Sequence, residues 1–113
     1  MPSPNVMAAM LVRRTTRAKI AILGNGLPLR ENPLRIAEEI AMLDVASGGR
    51  IISGFVRGIS AEYFSTGVNP THSRDRFYEA AELILRAWTE EGPFPFDGRF
   101  YRFHYVNPWP RPL

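Results

Sequence analysis

Residues 32–58 read NPLRIAEEIAMLDVASGGRIISGFVRG, from Asn32 to Gly58. The stretch is a helix with both ends marked, running directly into a strand. Asn32 suits the N-cap, because its side-chain oxygen can accept from an otherwise unpaired amide of the first turn. Pro33 then occupies the first helical position, where a missing N–H costs nothing. Gly48 and Gly49 end the helix, since glycine takes the left-handed cap geometry without a Cβ clash. The apolar residues Ile51, Ile52, Phe55 and Val56 follow as a strand from Arg50 to Val56, and Arg57 and Gly58 stand where it gives out. In parallel α/β folds that is where ligand chemistry is placed.

Upstream, Lys19–Leu23 (KIAIL) is a short apolar run bounded by turn residues and reads as a buried strand, ended by Gly24-Asn25-Gly26. Leu27–Glu31 is a loop. Strand, capped helix and strand make a crossover long enough for a parallel pair, with the right-handed connection expected. Both strands then finish on the same side, so Gly24-Asn25-Gly26 and Arg57-Gly58 are neighbours across one edge of the sheet. Before them, Pro4–Arg14 reads as a helix with Asn5 as its cap and Val6, Met7, Met10 and Leu11 as its apolar stripe, followed by a connector over Thr15–Ala18. After them, Ile59–Thr71 is rich in Gly, Ser, Asn and Pro and reads as irregular. Ser73–Thr89 is a second strong helix with Phe77, Ala81, Ile84 and Trp88 on one face, stopped by Gly92-Pro93. Phe94–Val106 reads as a hairpin about a two-residue Asp97-Gly98 turn. Tyr101, Phe103 and Tyr105 alternate there with Phe100, Arg102 and His104.

The bulk properties narrow the function classes. With 113 residues, 45% of them hydrophobic, the chain is one domain at most. No apolar run approaches the roughly 18 residues of a membrane span, and the apolar stretch Val6–Val12 is too short for a secretory leader. Cysteine is absent, which removes disulfides and thiolate chemistry. It fits the reducing cytoplasm, the location expected here, and is also compatible with secretion. The net charge is +3, and residues 1–30 hold Arg13, Arg14, Arg17, Lys19 and Arg30 with no acid. These cations fall after a helix pattern, where they face the negative end of its dipole, so a nucleic-acid partner is not expected. His72 and His104 stand apart from any second ligand at metal spacing, and Glu38 and Glu39 project about 100° apart on their helix. No metal site is expected, and the glutamates read as solvated or paired with Arg35.

Two parallel strands cannot bury three amphipathic helices, and both sheet edges would be left without partners. The expected fold is therefore α/β: a portion of a TIM-type (α/β)8 barrel, ordered helix, strand, helix, strand, helix, then a β-hairpin insertion. Residues 1–113 would form one partial domain.

The ordered set NPLRIAEEIAMLDVASGGR, strand, VRG, EYFSTGVNP and RDRFYEAAELILRAWTEEGPFPFDGRFYRF resembles the bacterial-luciferase-like flavin monooxygenase family over nearly the whole chain. The resemblance implies an (α/β)8 barrel that binds reduced FMN, or a deazaflavin coenzyme, at the C-terminal ends of its strands. It implies oxygenation of a small organic substrate with O2. Arg57 matches an arginine that contacts the flavin phosphate, and guanidinium–phosphate pairing is chemically apt. The alternative for Arg57 is an ion pair with Glu62. Gly24-Asn25 falls where the family often has a non-proline cis peptide, although the trans form is expected in this chain. The implied cofactor-binding set is Gly24, Asn25, Arg57 and Gly58. Val56 replaces a reactive cysteine of the light-emitting subunit, which argues against bioluminescence and leaves oxygenation open. A truncated piece, inactive alone and completed by remaining barrel segments or by self-association, is expected. A deazaflavin-dependent oxidoreductase and a non-enzymatic basic binding module are the alternatives.

Overall fold

In the computed structural model, which describes residues 2–113, the stretch 32–58 folds as its caps dictate. Helix α2 spans Pro33–Ser47, the Asn32 side chain accepts from the Leu34 amide, and Gly48 takes φ 70°. Strand β2 follows over Ile51–Val56. Strand β1, Ile20–Gly26, lies parallel to it, with Ile20 opposite Ile51 and Gly26 opposite Val56. The strand expected to stop at Leu23 thus continues through Gly24-Asn25-Gly26. It does so by bulging: Leu23 and Gly24 together oppose Gly54, between the pairs Ile22–Ser53 and Asn25–Phe55.

Helix α1, Pro4–Arg14, is capped by Ser3, whose hydroxyl accepts from the Val6 amide, and not by Asn5. Asn5 is instead buried and donates to Glu39 at 2.6 Å. The expected stripe of Val6, Met7, Met10 and Leu11 is exposed, and α1 packs through Asn5, Ala8 and Val12. That face is narrow because small Ala8 lets α1 approach β1 and α2 closely. The Arg50 guanidinium locks the arrangement. It donates to the carbonyls of Val12 (3.2 Å), Thr15 (3.1 Å), Ala18 (2.9 Å) and Ser47 (2.8 Å) and to the Thr15 hydroxyl (2.8 Å). Carbonyls at the last turn of α1 thereby gain the donors that a helix end lacks.

The connecting segments depart from expectation. A 3-10 turn occupies Leu27–Leu29 in the first loop, and α3 occupies Ser60–Thr66 in the segment read as irregular. Helix α4 spans Ser73–Thr89 and buries Ala80, Leu83, Ile84 and Ala87, with Phe77, Ala81 and Trp88 half-buried beside them. The Trp88 indole donates to the Ala37 carbonyl of α2 at 3.0 Å and its ring lies 6.1 Å from that of Phe55. Strands β3, Phe94–Asp97, and β4, Arg102–Val106, form the antiparallel hairpin. Its connection is Gly98–Tyr101 and not a two-residue turn, because the Glu79 carboxylate accepts from the amides of Arg99, Phe100 and Tyr101 at 2.8–3.0 Å. The expected alternation breaks at Tyr105, which is exposed, while Phe94, Phe96 and Tyr101 are buried.

Helices α1 and α2 cover one face of the β1–β2 sheet, burying Ile20, Ile22, Ile36 and Ile40. The other face is open, with Leu23 79%, Ile52 53% and Val56 38% exposed. Parallel sheets normally bury both faces. The open face is the one a closed barrel turns inward.

Candidate functional site

The parallel register brings the two glycine-rich strand ends together, as their sequence order implies. Gly26 is opposite Val56, and Arg57 and Gly58 are the next two residues. Gly58 takes φ 87°, the left-handed conformation, and turns the chain from β2 toward α3. A Cβ at Gly58 would stand 3.0 Å from Leu29, 3.1 Å from Glu62 and 3.3 Å from Tyr63. The glycine is thus required by both torsion and space.

Three openings surround this edge. A cleft of ≈ 700 Å³ is lined by Arg57, Gly58, Ile59, Tyr63, Phe64 and Val68, among others. A second, of ≈ 480 Å³, is lined by Phe55, Val56, Arg57, Arg74, Phe77 and Tyr78. A third, of ≈ 370 Å³, contains Gly24, Asn25, Gly26, Leu29, Arg30 and Glu62. Leu29 and Glu62 border Gly58 as well, so the Gly24-Asn25 opening and the Arg57 cleft share a wall.

Among the described residues, the Arg57 guanidinium is in no hydrogen bond or ion pair. Glu62, its alternative partner, instead accepts from the Ile59 amide at 2.8 Å. Arg57 is held through its backbone, since its carbonyl accepts from the Tyr63 hydroxyl. Arg74, at the start of α4, faces the same opening as Arg57, without an acidic partner among the described residues and with its guanidinium 6.0 Å from the Tyr78 ring centre. Two uncompensated guanidinium groups on one aromatic-walled pocket form a donor set matched to a phosphate monoester. Arg57 stands out in the sequence, through the strand end and the family resemblance, whereas Arg74 does not. Its only signal is an arginine in the first turn of a helix, and nothing local shows that α4 begins beside β2.

Asn25 is 2% exposed, and its side-chain nitrogen is buried without an acceptor. The Gly24–Asn25 peptide is trans, as expected; the cis bonds among the described residues precede Pro93 and Pro110. His72 packs its ring 5.7 Å from that of Phe100, and His104 is exposed on the hairpin, so neither joins the site. Arg35 pairs with Glu38 at 2.8 Å, and Glu39 serves Asn5. Among the described residues no three His, Cys, Asp or Glu side chains gather as metal ligands, and no helix is long and apolar enough to cross a membrane.

The model for luciferase-like monooxygenases matches residues 1–113. The uncharacterised protein y4wF of Sinorhizobium fredii is 39% identical over 89 residues, covering 76% of this chain and 25% of its own. The FMNH2-dependent dimethylsulfone monooxygenase of Pseudomonas putida is 32% identical over 99 residues, covering 84% of this chain and 27% of its own. Among solved structures, monooxygenase RslO1 of Streptomyces bottropensis superposes with a TM-score of 0.88 at 36% identity, over 98% of this chain and 33% of RslO1. The chain therefore spans a quarter to a third of the length of these relatives. Its α/β architecture is a portion of their (α/β)8 barrel.

Proposed function

This chain belongs to the luciferase-like monooxygenase family, and from that premise we propose that it supplies the Arg57 sector of a reduced-FMN site in an enzyme that oxygenates a small organic substrate. The observation that carries the proposal is the pair of uncompensated arginines, Arg57 and Arg74, on one pocket at the end of β2. A phosphate monoester is close to a dianion at neutral pH. Forked guanidinium donors neutralise it and fix its direction. Gly58 lets the backbone turn close to such a ligand, and Gly24 and Asn25 form the adjoining strand end. The buried Asn25 amide offers a donor still without an acceptor. Bound reduced flavin supplies the electrons that activate O2. The residues of this chain hold the phosphate and wall the pocket from water.

Residues 1–113 act in this reading as one partial domain. The open sheet face and unpaired strand edges need further barrel segments or other copies of the chain, so the 113 residues alone neither bind flavin tightly nor turn over. The name of the Pseudomonas relative favours FMN over a deazaflavin. A reducing, cytoplasmic compartment suits reduced flavin. A basic nucleic-acid module is disfavoured because the hairpin aromatics Phe94, Phe96 and Tyr101 are buried, which leaves Tyr105 without a stacking platform beside it.

The test is a chimera in which this chain replaces the matching third of RslO1. FMN binding that falls when Arg57→Ala or Arg74→Ala is introduced, together with O2 uptake on addition of reduced FMN, is the expected result. A folded chimera that binds no FMN would overturn the proposal.

A further inference from the structure

We infer that Tyr63 is a positioning residue for Arg57: its hydroxyl fixes the Arg57–Gly58 peptide and so aims the guanidinium at a phosphate monoester. The inference rests on the phosphate role proposed for Arg57.

The β1–β2 ladder ends at the Gly26–Val56 pair, so the Arg57 carbonyl has no partner in the sheet. Tyr63 provides one. Its side chain is 6% exposed, its ring lies against Gly58, and its hydroxyl donates to the Arg57 carbonyl. The neighbouring Glu62 accepts from the Ile59 amide at 2.8 Å. Two successive side chains of α3 therefore pin the backbone on both sides of Gly58, and Leu29 closes a further side. This pinning matters because the Arg57 guanidinium has no side-chain partner to orient it. A backbone free to rotate about Gly58 would spread a long, flexible side chain over many directions. An anion would then have to order it on binding.

Tyr63→Phe removes one oxygen and keeps the packed ring. FMN and riboflavin, which differ by the phosphate, are titrated into the 113-residue chain and followed by amide and guanidinium chemical shifts. In the wild-type chain FMN binds weakly but more tightly than riboflavin, and Arg57→Ala erases that preference. Tyr63→Phe raises the FMN dissociation constant about three- to tenfold, the usual worth of one hydrogen bond, and leaves riboflavin unchanged. No FMN preference in the wild-type chain, or a preference that survives Arg57→Ala, overturns the phosphate reading and this inference with it. A preference lost in Arg57→Ala but untouched in Tyr63→Phe overturns the inference alone. Equal weakening of both ligands overturns it too, because the hydroxyl would then only hold the fold. If Tyr63→Phe fails to fold, the wild-type chain decides the matter. The Tyr63 ring carbon bearing the hydroxyl should shift with FMN and not with riboflavin, and a stationary signal while Arg57 responds overturns the inference.

Discussion

Gly54 lies so close to the bulge of β1 that a Cβ there would stand 2.7 Å from the Ile22 carbonyl oxygen and 3.0 Å from Leu23 Cα. Both neighbours are backbone and cannot swing aside, so any side chain at residue 54 must push the strands apart. Gly54→Ala is expected to destabilise the chain by about 1–3 kcal/mol. It should also widen the edge that carries Asn25 and Arg57. A lowered urea midpoint checks the first effect, and an unchanged midpoint would show that the bulge is not tight.

Arg50 ties three elements through five hydrogen bonds while 9% exposed. Lysine keeps the charge but cannot reach the same acceptors with its compact ammonium. Arg50→Lys should cost about 1–3 kcal/mol by leaving carbonyls at the end of α1 unpaired. Amide exchange should quicken first at Thr15, whose N–H bonds the Leu11 carbonyl at 3.0 Å. Uniform acceleration across the chain would contradict this local role.

Glu79 anchors the hairpin connection by accepting three backbone amides. Glu79→Ala should free the amides of Arg99, Phe100 and Tyr101 to exchange while those of α2 stay protected, with a loss of about 1–3 kcal/mol. Protection retained at those three amides would mean that the packing of Phe96 and Tyr101 alone holds the turn.

The end of α4 should respond to acid. The Arg86 hydrogen bond to Glu90, at 2.6 Å, lowers the Glu90 carboxyl below its usual value; burial opposes it and the Arg86 charge assists. A folded value below the unfolded one means that the contact stabilises fully above the ordinary glutamate range and is lost as pH falls through the lowered value. Both side chains are substantially exposed, so the effect is local. The Glu90 carboxyl carbon should titrate below the ordinary glutamate range, and Arg86→Met should raise it. A Glu90 titration that Arg86→Met leaves unchanged would contradict the contact.

Local signals proved the most legible. Asn32-Pro33 and Gly48-Gly49 bracket α2, and the apolar runs on either side pair as parallel strands, because caps and burial patterns act within a few residues. The misses depend on distant partners. Helix α3 lies in a segment of weak helix formers, and Glu62 and Tyr63 hold it against residues 57–59. The Asp97-Gly98 turn is overridden by Glu79, about twenty residues away. On α1 the most apolar stripe faces outward, since Ala8 and the Arg50 clamp decide which side meets the sheet. At the candidate site, the neighbouring of the strand ends Gly24-Asn25-Gly26 and Arg57-Gly58 was readable from order alone, while a cofactor role for them rests on the family resemblance. Arg74 needed the approach of α4 to β2, which no local pattern encodes.

Chemical-shift mapping of the 113-residue chain with FMN tests the central claim most directly. Weak binding is expected, with the largest changes at Gly24–Gly26, Arg57, Gly58 and Arg74. Changes centred on the exposed face of α1 or on the hairpin, or stoichiometric micromolar binding by the chain alone, would contradict it.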